Sequence, residues 1–208
     1  MPLLLYPTVS DYWNTLHVSA AVTSYAQQVS SLDNGQCSEL LSAARAYNQS
    51  LSGRDNPYVL PAEQKAQYER LLNLEGTGIM GYIEIPNIDL SLPIYHGTDE
   101  AVLQVAVGHL DWTSLTVGGE STHCVLSGHR GLPSAKLFTN LDKLVVGDTF
   151  VIRILDEVLT YEVTKVLIVE PTETEELTIR EGEDLCTLVT CTPYGINTHR
   201  LLVCGRRT

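Results

Sequence analysis

The stretch from Leu185 to Gly205 reads LCTLVTCTPYGINTHRLLVCG, and its two ends point to strands joined by a turn. Apolar and β-branched residues run from Leu185 to Cys191. A turn-rich segment, Pro193–Thr198, follows, and a second apolar run occupies Leu201–Gly205. A strand that ends at a cysteine just before a proline holds its thiol at a strand mouth rather than in mid-core. Reactive cysteines need such partly exposed settings, because the thiolate is the nucleophile. Pairing of the two strands would return Arg200 to the side of Cys191. A guanidinium there has two uses, favouring the thiolate and donating hydrogen bonds to an oxyanion. Spacing alone fits a surface arginine with a carboxylate partner better.

Upstream, the same texture extends back to Gly76. Short runs at Ile79–Ile85, Ile88–Ile94, His123–Gly128, Thr149–Leu155 and Leu159–Val169 are separated by Gly, Pro and Asn. Several short strands with turn signals between them predict a mainly β barrel or sandwich. Two helical turns interrupt it. One opens at Thr98 with Asp99 and Glu100 in its first turn; the other runs from Ser134 with Leu137, Leu141 and Leu144 on one face. Before Gly76 the pattern is helical. Residues 9–30 carry a weak apolar face through Trp13, Leu16 and Ala20, and Leu40, Ala44, Tyr47 and Leu51 form a stronger one. The segment Leu51–Pro61 (LSGRDNPYVLP) breaks the helical pattern, and Pro61 opens a helix over 61–74 that should bury Leu71, Leu72 and Leu74. The chain therefore divides into a helical region, 1–75, and a β region, 76–208.

A chain of 208 residues can bury a sizeable core as one domain or one core with an appendage. Its formal net charge of −12 disfavours a nucleic-acid groove and a basic lipid-binding patch. The longest apolar run near the start, Leu3–Leu5, falls far short of the roughly 20 residues needed to span a bilayer. Five cysteines, an odd number without Cys-x-x-Cys spacing, argue against a disulfide framework or a structural zinc site. Cys37, Cys124, Cys186 and Cys204 read as buried, inert thiols. Among the six histidines, His129 stands apart: in Ser127-Gly128-His129-Arg130-Gly131 it sits at a strand end between flexible residues, where a ring can face a cleft. His17, His96, His109, His123 and His199 read as structural or surface groups. The acidic run Glu173–Glu176, with Glu181, Glu183 and Asp184, reads as a solvated loop. A cysteine and a distant histidine make a candidate nucleophile–base pair, which only proximity in the fold can join.

Three motifs taken in order resemble the sortase family. Thr187-Leu188-Val189-Thr190-Cys191 is similar to the family's Thr-Leu-x-Thr-Cys signature, Arg200 matches its arginine, and His129 its histidine. The stretches Ser127–Lys136 (SGHRGLPSAK) and Cys191–Leu202 (CTPYGINTHRLL), with Tyr6–Asn14 near the start, resemble class C, the pilin-polymerising sortases. The resemblance implies a closed eight-stranded β-barrel preceded by helices and a lid loop. It also implies cysteine transpeptidation without metal or organic cofactor. In that chemistry Cys191 attacks the Thr–Gly carbonyl of an LPxTG-like sorting signal, His129 serves as general acid and then base, and Arg200 stabilises the oxyanion. A pilin Lys amine resolves the thioacyl-enzyme. Thr190 would support substrate or Arg200, unless it is ordinary strand packing.

The implied partners are pilin subunits bearing a sorting signal and an acceptor lysine. The implied location is the outer face of a Gram-positive membrane, with anchoring segments outside this chain. The resemblance further implies that residues 51–61 form the lid. Its usual Asp-Pro-aromatic core corresponds here to Asn56-Pro57-Tyr58, preceded by Asp55. Tyr58 would cover Cys191, and Asn56 would accept a hydrogen bond from Arg200 where the family has an ion pair, which weakens the latch unless Asp55 substitutes. Three other readings stay open at this point. They are a sortase that hydrolyses its intermediate or anchors proteins to peptidoglycan, a surface binding module without turnover, and a redox or metal protein, against which the Cys and His spacing argues.

Overall fold

The structure, a computed structural model, describes residues 6–54, 56–132 and 135–208, with side chains from residue 16 onward. Three helices come first: α1 (Tyr6–Ser30), α2 (Asn34–Ser50) and α3 (Ala62–Arg70). Eight strands follow: β1 (Ile79–Ile85), β2 (Leu90–His96), β3 (Val107–His109), β4 (Thr122–Ser127), β5 (Thr149–Ile154), β6 (Glu157–Val169), β7 (Asp184–Thr192) and β8 (His199–Arg207). A single-turn helix, α4 (Glu100–Leu103), precedes β3. The strands close into a barrel in the order β1-β2-β3-β4-β7-β8-β6-β5. The β2–β3 and β4–β7 pairs are parallel and the others antiparallel.

Closure follows from alternation. Along β5 and the first half of β6, Phe150, Ile152, Ile154, Leu159, Tyr161 and Val163 point inward and are buried, while their neighbours face out. The aromatic pair Phe150 and Tyr161 stacks at 5.5 Å inside the barrel. Gly205 on β8 makes room for it, since a Cβ there would lie 2.7 Å from the Phe150 ring. Closure gives every strand a neighbour on both sides.

The helices add to the same core. Asp33 and Gln36 form a reciprocal capping box that starts α2. That helix then buries Cys37, Leu41, Ala44, Tyr47 and Asn48. The Tyr25 hydroxyl donates to the Met80 carbonyl and accepts from the Leu155 amide, tying α1 to β1 and to the β5–β6 turn. Burial pushes its pKa up to about 12, so it stays a neutral donor. The Tyr68 hydroxyl on α3 meets His109 Nδ1 at 3.0 Å and accepts from the Gly97 amide.

Several expectations need correction. The seven sequence runs omit β3, whose three residues are too short for a periodicity to show. The second strand covers Leu90–His96 rather than Ile88–Ile94, because Pro86–Ile88 forms a 3-10 turn. On α1 the expected face is displaced. Leu16 is 49% exposed, and Tyr25, with Val18 and Val29 beside it, meets the core; the Trp13 side chain lies outside the described residues. The third helix ends at Arg70, so only Leu72 of the three leucines is fully buried. The turn expected from Ser134, itself outside the described residues, is a 3-10 stretch over Leu137–Lys143. Leu137, Leu141 and Leu144 are nevertheless buried together. Cys204 is half-buried rather than buried.

Asn48 supports the irregular segment between β3 and β4. Its amide donates to the Leu115 carbonyl at 3.1 Å and accepts from the Leu115 amide at 2.7 Å, with both groups buried. Asn48→Ala strands both backbone groups and should cost about 2–4 kcal/mol in urea unfolding.

Candidate active site

The parallel pairing of β4 with β7 sets the site. Ser127 lies opposite Val189, and the Gly128 amide extends the ladder by donating to the Val189 carbonyl at 3.1 Å. Carried two residues further on each strand, this register brings His129 level with Cys191. On the other side of β7, Cys191 is the direct partner of Arg200 on β8. Residues opposite one another in an antiparallel pair share a face and stand about 5 Å apart at Cβ. The strand ends that carry Cys191, His129 and Arg200 thus lie at one end of the barrel, though His129 and Arg200 are 71 positions apart along the chain.

The face is the outer one. Cys186, Leu188, Leu201 and Val203 fill the barrel, so Val189, Cys191, Arg200 and Leu202 look outward. Outside the barrel a second apolar cluster forms from Val125, Val189, Leu202 and Leu177, flanked by Leu110 and Trp112. It makes a floor leading away from Cys191. The floor ends in a cavity of about 520 Å³ lined by Arg54, Pro57, Trp112, His123, Leu177 and Ile179 among others. His123, at the foot of this floor, bonds Thr187 Oγ1 at 2.8 Å through Nε2 and the Thr178 carbonyl at 2.8 Å through Nδ1. Thr187 lies four residues before Cys191, or roughly 13 Å at a strand's rise of about 3.3 Å per residue.

Cys191, His129 and Arg200 are all partly exposed. His129 Nε2 is enclosed without a hydrogen-bond partner among the described residues, and the nearest carboxylate oxygen, from Glu100 at the start of α4, stands 4.0 Å away. The His129 carbonyl accepts from the Phe138 amide. Gly128 must stay small, because a Cβ would meet the buried Phe138 ring at 2.7 Å. Arg200 Nη1 donates to the carbonyls of Asn197 and His199, which folds the guanidinium back on its own turn.

Thr190 corrects an expectation. Its hydroxyl is buried and donates to the Gly128 carbonyl at 2.7 Å, rather than serving Arg200. Strand alternation turns residue 190 inward, away from the face that Cys191 and Arg200 share. The expected bond between Asn56 and Arg200 is also replaced: Asn56 Oδ1 accepts from the Tyr58 amide at 3.0 Å within its own loop. Asp55 lies outside the described residues. The Tyr58 ring packs edge-on against Trp112 with centroids 5.1 Å apart. Arg54 fastens the segment, donating to the carbonyls of Leu51, Pro57 and Trp112.

Sequence reading missed Arg54, Glu100, Trp112 and Arg130. Arg130 adjoins His129 inside a quoted motif, so its position was visible and its partners were not. Trp112 sits in irregular chain, where no period marks it.

The profile of the Sortase domain family matches residues 83–208. Sortase C1 from Streptococcus agalactiae superposes with a TM-score of 0.89 at 46% identity, over 91% of this chain and 98% of that one. Streptococcus pneumoniae sortase C, whose structure concerns catalysis and pilin substrate specificity, gives 0.80 at 41% identity, over 91% and 96%. Clostridium perfringens sortase C, solved with a C-terminal cell wall sorting motif, gives 0.80 at 42% identity, over 91% and 98%. Matches to curated relatives are more partial, spanning 63% of one relative's length and 47% of another's.

Burial holds the His123 imidazole below its ordinary value, helped by Arg180 and opposed by the Thr178 hydrogen bond and by Glu176 and Glu183. The unfolded chain therefore takes up the proton first. Stability from this group is complete above about pH 6.5 and falls as pH drops below it. Urea unfolding at pH 7.5 and 5.0 should show a smaller acid loss for His123→Gln than for the unsubstituted protein.

Proposed function

Since the chain belongs to the sortase family of cysteine transpeptidases, and within it to class C, we propose that it cleaves an LPxTG-like sorting signal between Thr and Gly and joins pilin subunits through a lysine isopeptide bond. The observation that carries this reading is the register: Cys191 lies opposite Arg200, and the β4–β7 ladder runs to Ser127 and Val189, two residues short of His129 and Cys191, beside an outward-facing apolar floor. An extended chain covers about 3.3–3.6 Å per residue. A peptide whose Thr carbonyl rests on Cys191 therefore carries its leucine, three residues upstream, about 10–11 Å along the floor toward the 520 Å³ cavity. Trp112, Leu177 and Ile179 give that otherwise mixed cavity an apolar wall that suits a leucine side chain.

The chemistry follows from the three groups. The Cys191 thiolate attacks the Thr carbonyl carbon, and Arg200 turns its fork from the Asn197 and His199 carbonyls to the developing oxyanion. As the tetrahedral adduct collapses, the C–N bond to glycine breaks and His129 protonates the departing amine. The acyl group remains on sulfur as a thioester. His129 then accepts a proton from the incoming lysine amine, which attacks the thioester, releases the thiolate and forms an amide. Proximity rather than acid strength supplies much of the gain, because the acceptor needs only to be held near the thioester.

Residues 51–61 act as a lid in this reading. The support is that Arg54 and Pro57 wall the cavity and that Arg54 and Tyr58 both engage Trp112. The lid's hold is on Trp112, at the far part of the floor, in addition to whatever it contributes at the thiol. The native setting is the outer face of a Gram-positive cell membrane, as for the family. Among the described residues no helix is long and apolar enough to cross a membrane.

Incubation with purified pilin tests the reaction. Covalent ladders on a denaturing gel and a thioacyl adduct on Cys191 by mass spectrometry are expected. Cys191→Ala should abolish both, and His129→Ala should cost about 10²–10⁴ in rate. Cleaved monomer without ladders would mean a hydrolase, and unchanged activity in Cys191→Ala a different protein altogether. The lid has its own test. An aromatic pair contributes about 0.5–1.5 kcal/mol, so Tyr58→Ala should raise the rate of Cys191 alkylation by iodoacetamide by roughly 2–10-fold. An unchanged rate would remove the lid from this account.

A further inference from the structure

Two side-chain ties straddle the nucleophile and its base. Before the pair, Thr190 Oγ1 donates to the Gly128 carbonyl at 2.7 Å. After it, Arg130 Nη1 donates to Thr192 Oγ1 at 3.1 Å. Each tie therefore joins a neighbour of His129 to the matching neighbour of Cys191. The second tie lies beyond the last backbone bond of this pairing described above, from Gly128 to Val189, where the chain after His129 is already turning. Gly131, with φ +79, marks that turn. Past this point the spacing of the two segments rests on side chains.

We propose that Arg130 is a positioning residue that fixes the distance between the His129 imidazole and the Cys191 sulfur by clamping the His129 turn to the end of β7. Its geometry fits that task and little else. The guanidinium side chain is only 9% exposed, yet Asp142, its charge partner at 2.5 Å, is 45% exposed. Its Nε is buried without a hydrogen-bond partner among the described residues. Burying a guanidinium with one donor unused is costly, and an ion pair to a half-exposed carboxylate returns little of that cost. Stability alone gives no reason for the arrangement, whereas a planar, forked donor that spans two chain segments is a rigid spacer. Asp142, on the Leu137–Lys143 turn, holds the fork from its other side. The Phe138 amide on that same turn caps the His129 carbonyl, so the clamp and the imidazole share one support. Thr192 points inward along β7, as Thr190 does, so its hydroxyl lies off the face used by Cys191.

This inference rests on the transpeptidase reading, and the test separates the two. The probe is an LPxTG pentapeptide between a fluorophore and a quencher, and kcat and KM are measured apart. Thr192→Val keeps the shape and removes the acceptor; it should lower kcat about tenfold with KM within twofold. Thr192→Ser restores the hydroxyl and should restore kcat. Arg130→Ala should lose at least as much as Thr192→Val, and the double variant no more than Arg130→Ala alone. Should Arg130→Ala fail to fold, the Thr192→Val and Thr192→Ser comparison carries the test by itself. Equal loss in Thr192→Ser and Thr192→Val, additive losses, or a normal kcat in Thr192→Val would overturn the clamp. If Cys191→Ala turns over the peptide, or the unsubstituted chain does not, the transpeptidase reading fails and takes the clamp with it. If Cys191→Ala is inactive while Thr192→Val is normal, only the clamp fails.

Discussion

Everything at the site depends on β7 being paired on both sides within a closed barrel. A strand with β4 on one edge and β8 on the other has no freedom to slide. A slip of one residue would turn Cys186, Leu188 and their inward neighbours out to solvent and bring Val189 and Cys191 into the core. The core therefore enforces the register, and the register sets which residues face Cys191. The placing of Cys191 beside Arg200 is in this sense a by-product of hydrophobic burial.

The same alternation separates two tasks along one strand. Inward residues of β7 hold the barrel, and outward ones present a floor that only a small cluster covers. Thr190 and Thr192 are polar residues on the inward side, near the barrel mouth, where a buried hydroxyl needs a partner. Both find partners on the segment that carries His129. An apolar residue at either place would lose one tie between β7 and that segment. The polar pair gives up little packing, and it fixes a turn that the backbone ladder no longer reaches.

Much of this was legible in the sequence, and the failures have physical causes. The β7–turn–β8 unit was readable because its turn residues and β-branched runs are local signals, and pairing of adjacent strands needs no further information. That Arg200 faces Cys191 follows from the same local reading. The parallel β4–β7 pairing, with 56 intervening residues between Ser127 and Asp184, has no local signal; only the motif resemblance joined His129 to the site. Strand β3 is three residues long, too short to show a period. On α1 the apolar pattern is weak, and the contact at Tyr25 outweighs it. The Thr190 role depended on which way a side chain points at the end of a strand, which alternation predicts only once the core face is known.

At Asn56 the loop has an amide that bonds within the loop rather than to Arg200. A carboxylate facing the guanidinium of Arg200 would hold the loop at the catalytic end. The amide instead caps the backbone of Tyr58, stiffening the turn it belongs to. Attachment rests on Arg54, whose guanidinium donates to the carbonyls of Leu51 and Pro57 within the loop and to that of Trp112. Those acceptors are neutral, and the Tyr58 ring that joins them at Trp112 is 41% exposed. Hydrogen bonds to neutral carbonyls contribute about 1 kcal/mol each in net terms, somewhat more when the donor is charged. A loop so held is closed by a few kcal/mol, which the burial of a leucine and a proline from an incoming peptide is large enough to offset. Within the proposed function, the substrate itself can then displace the loop from the far end of the floor, where its apolar residues arrive, before its scissile bond reaches the thiol.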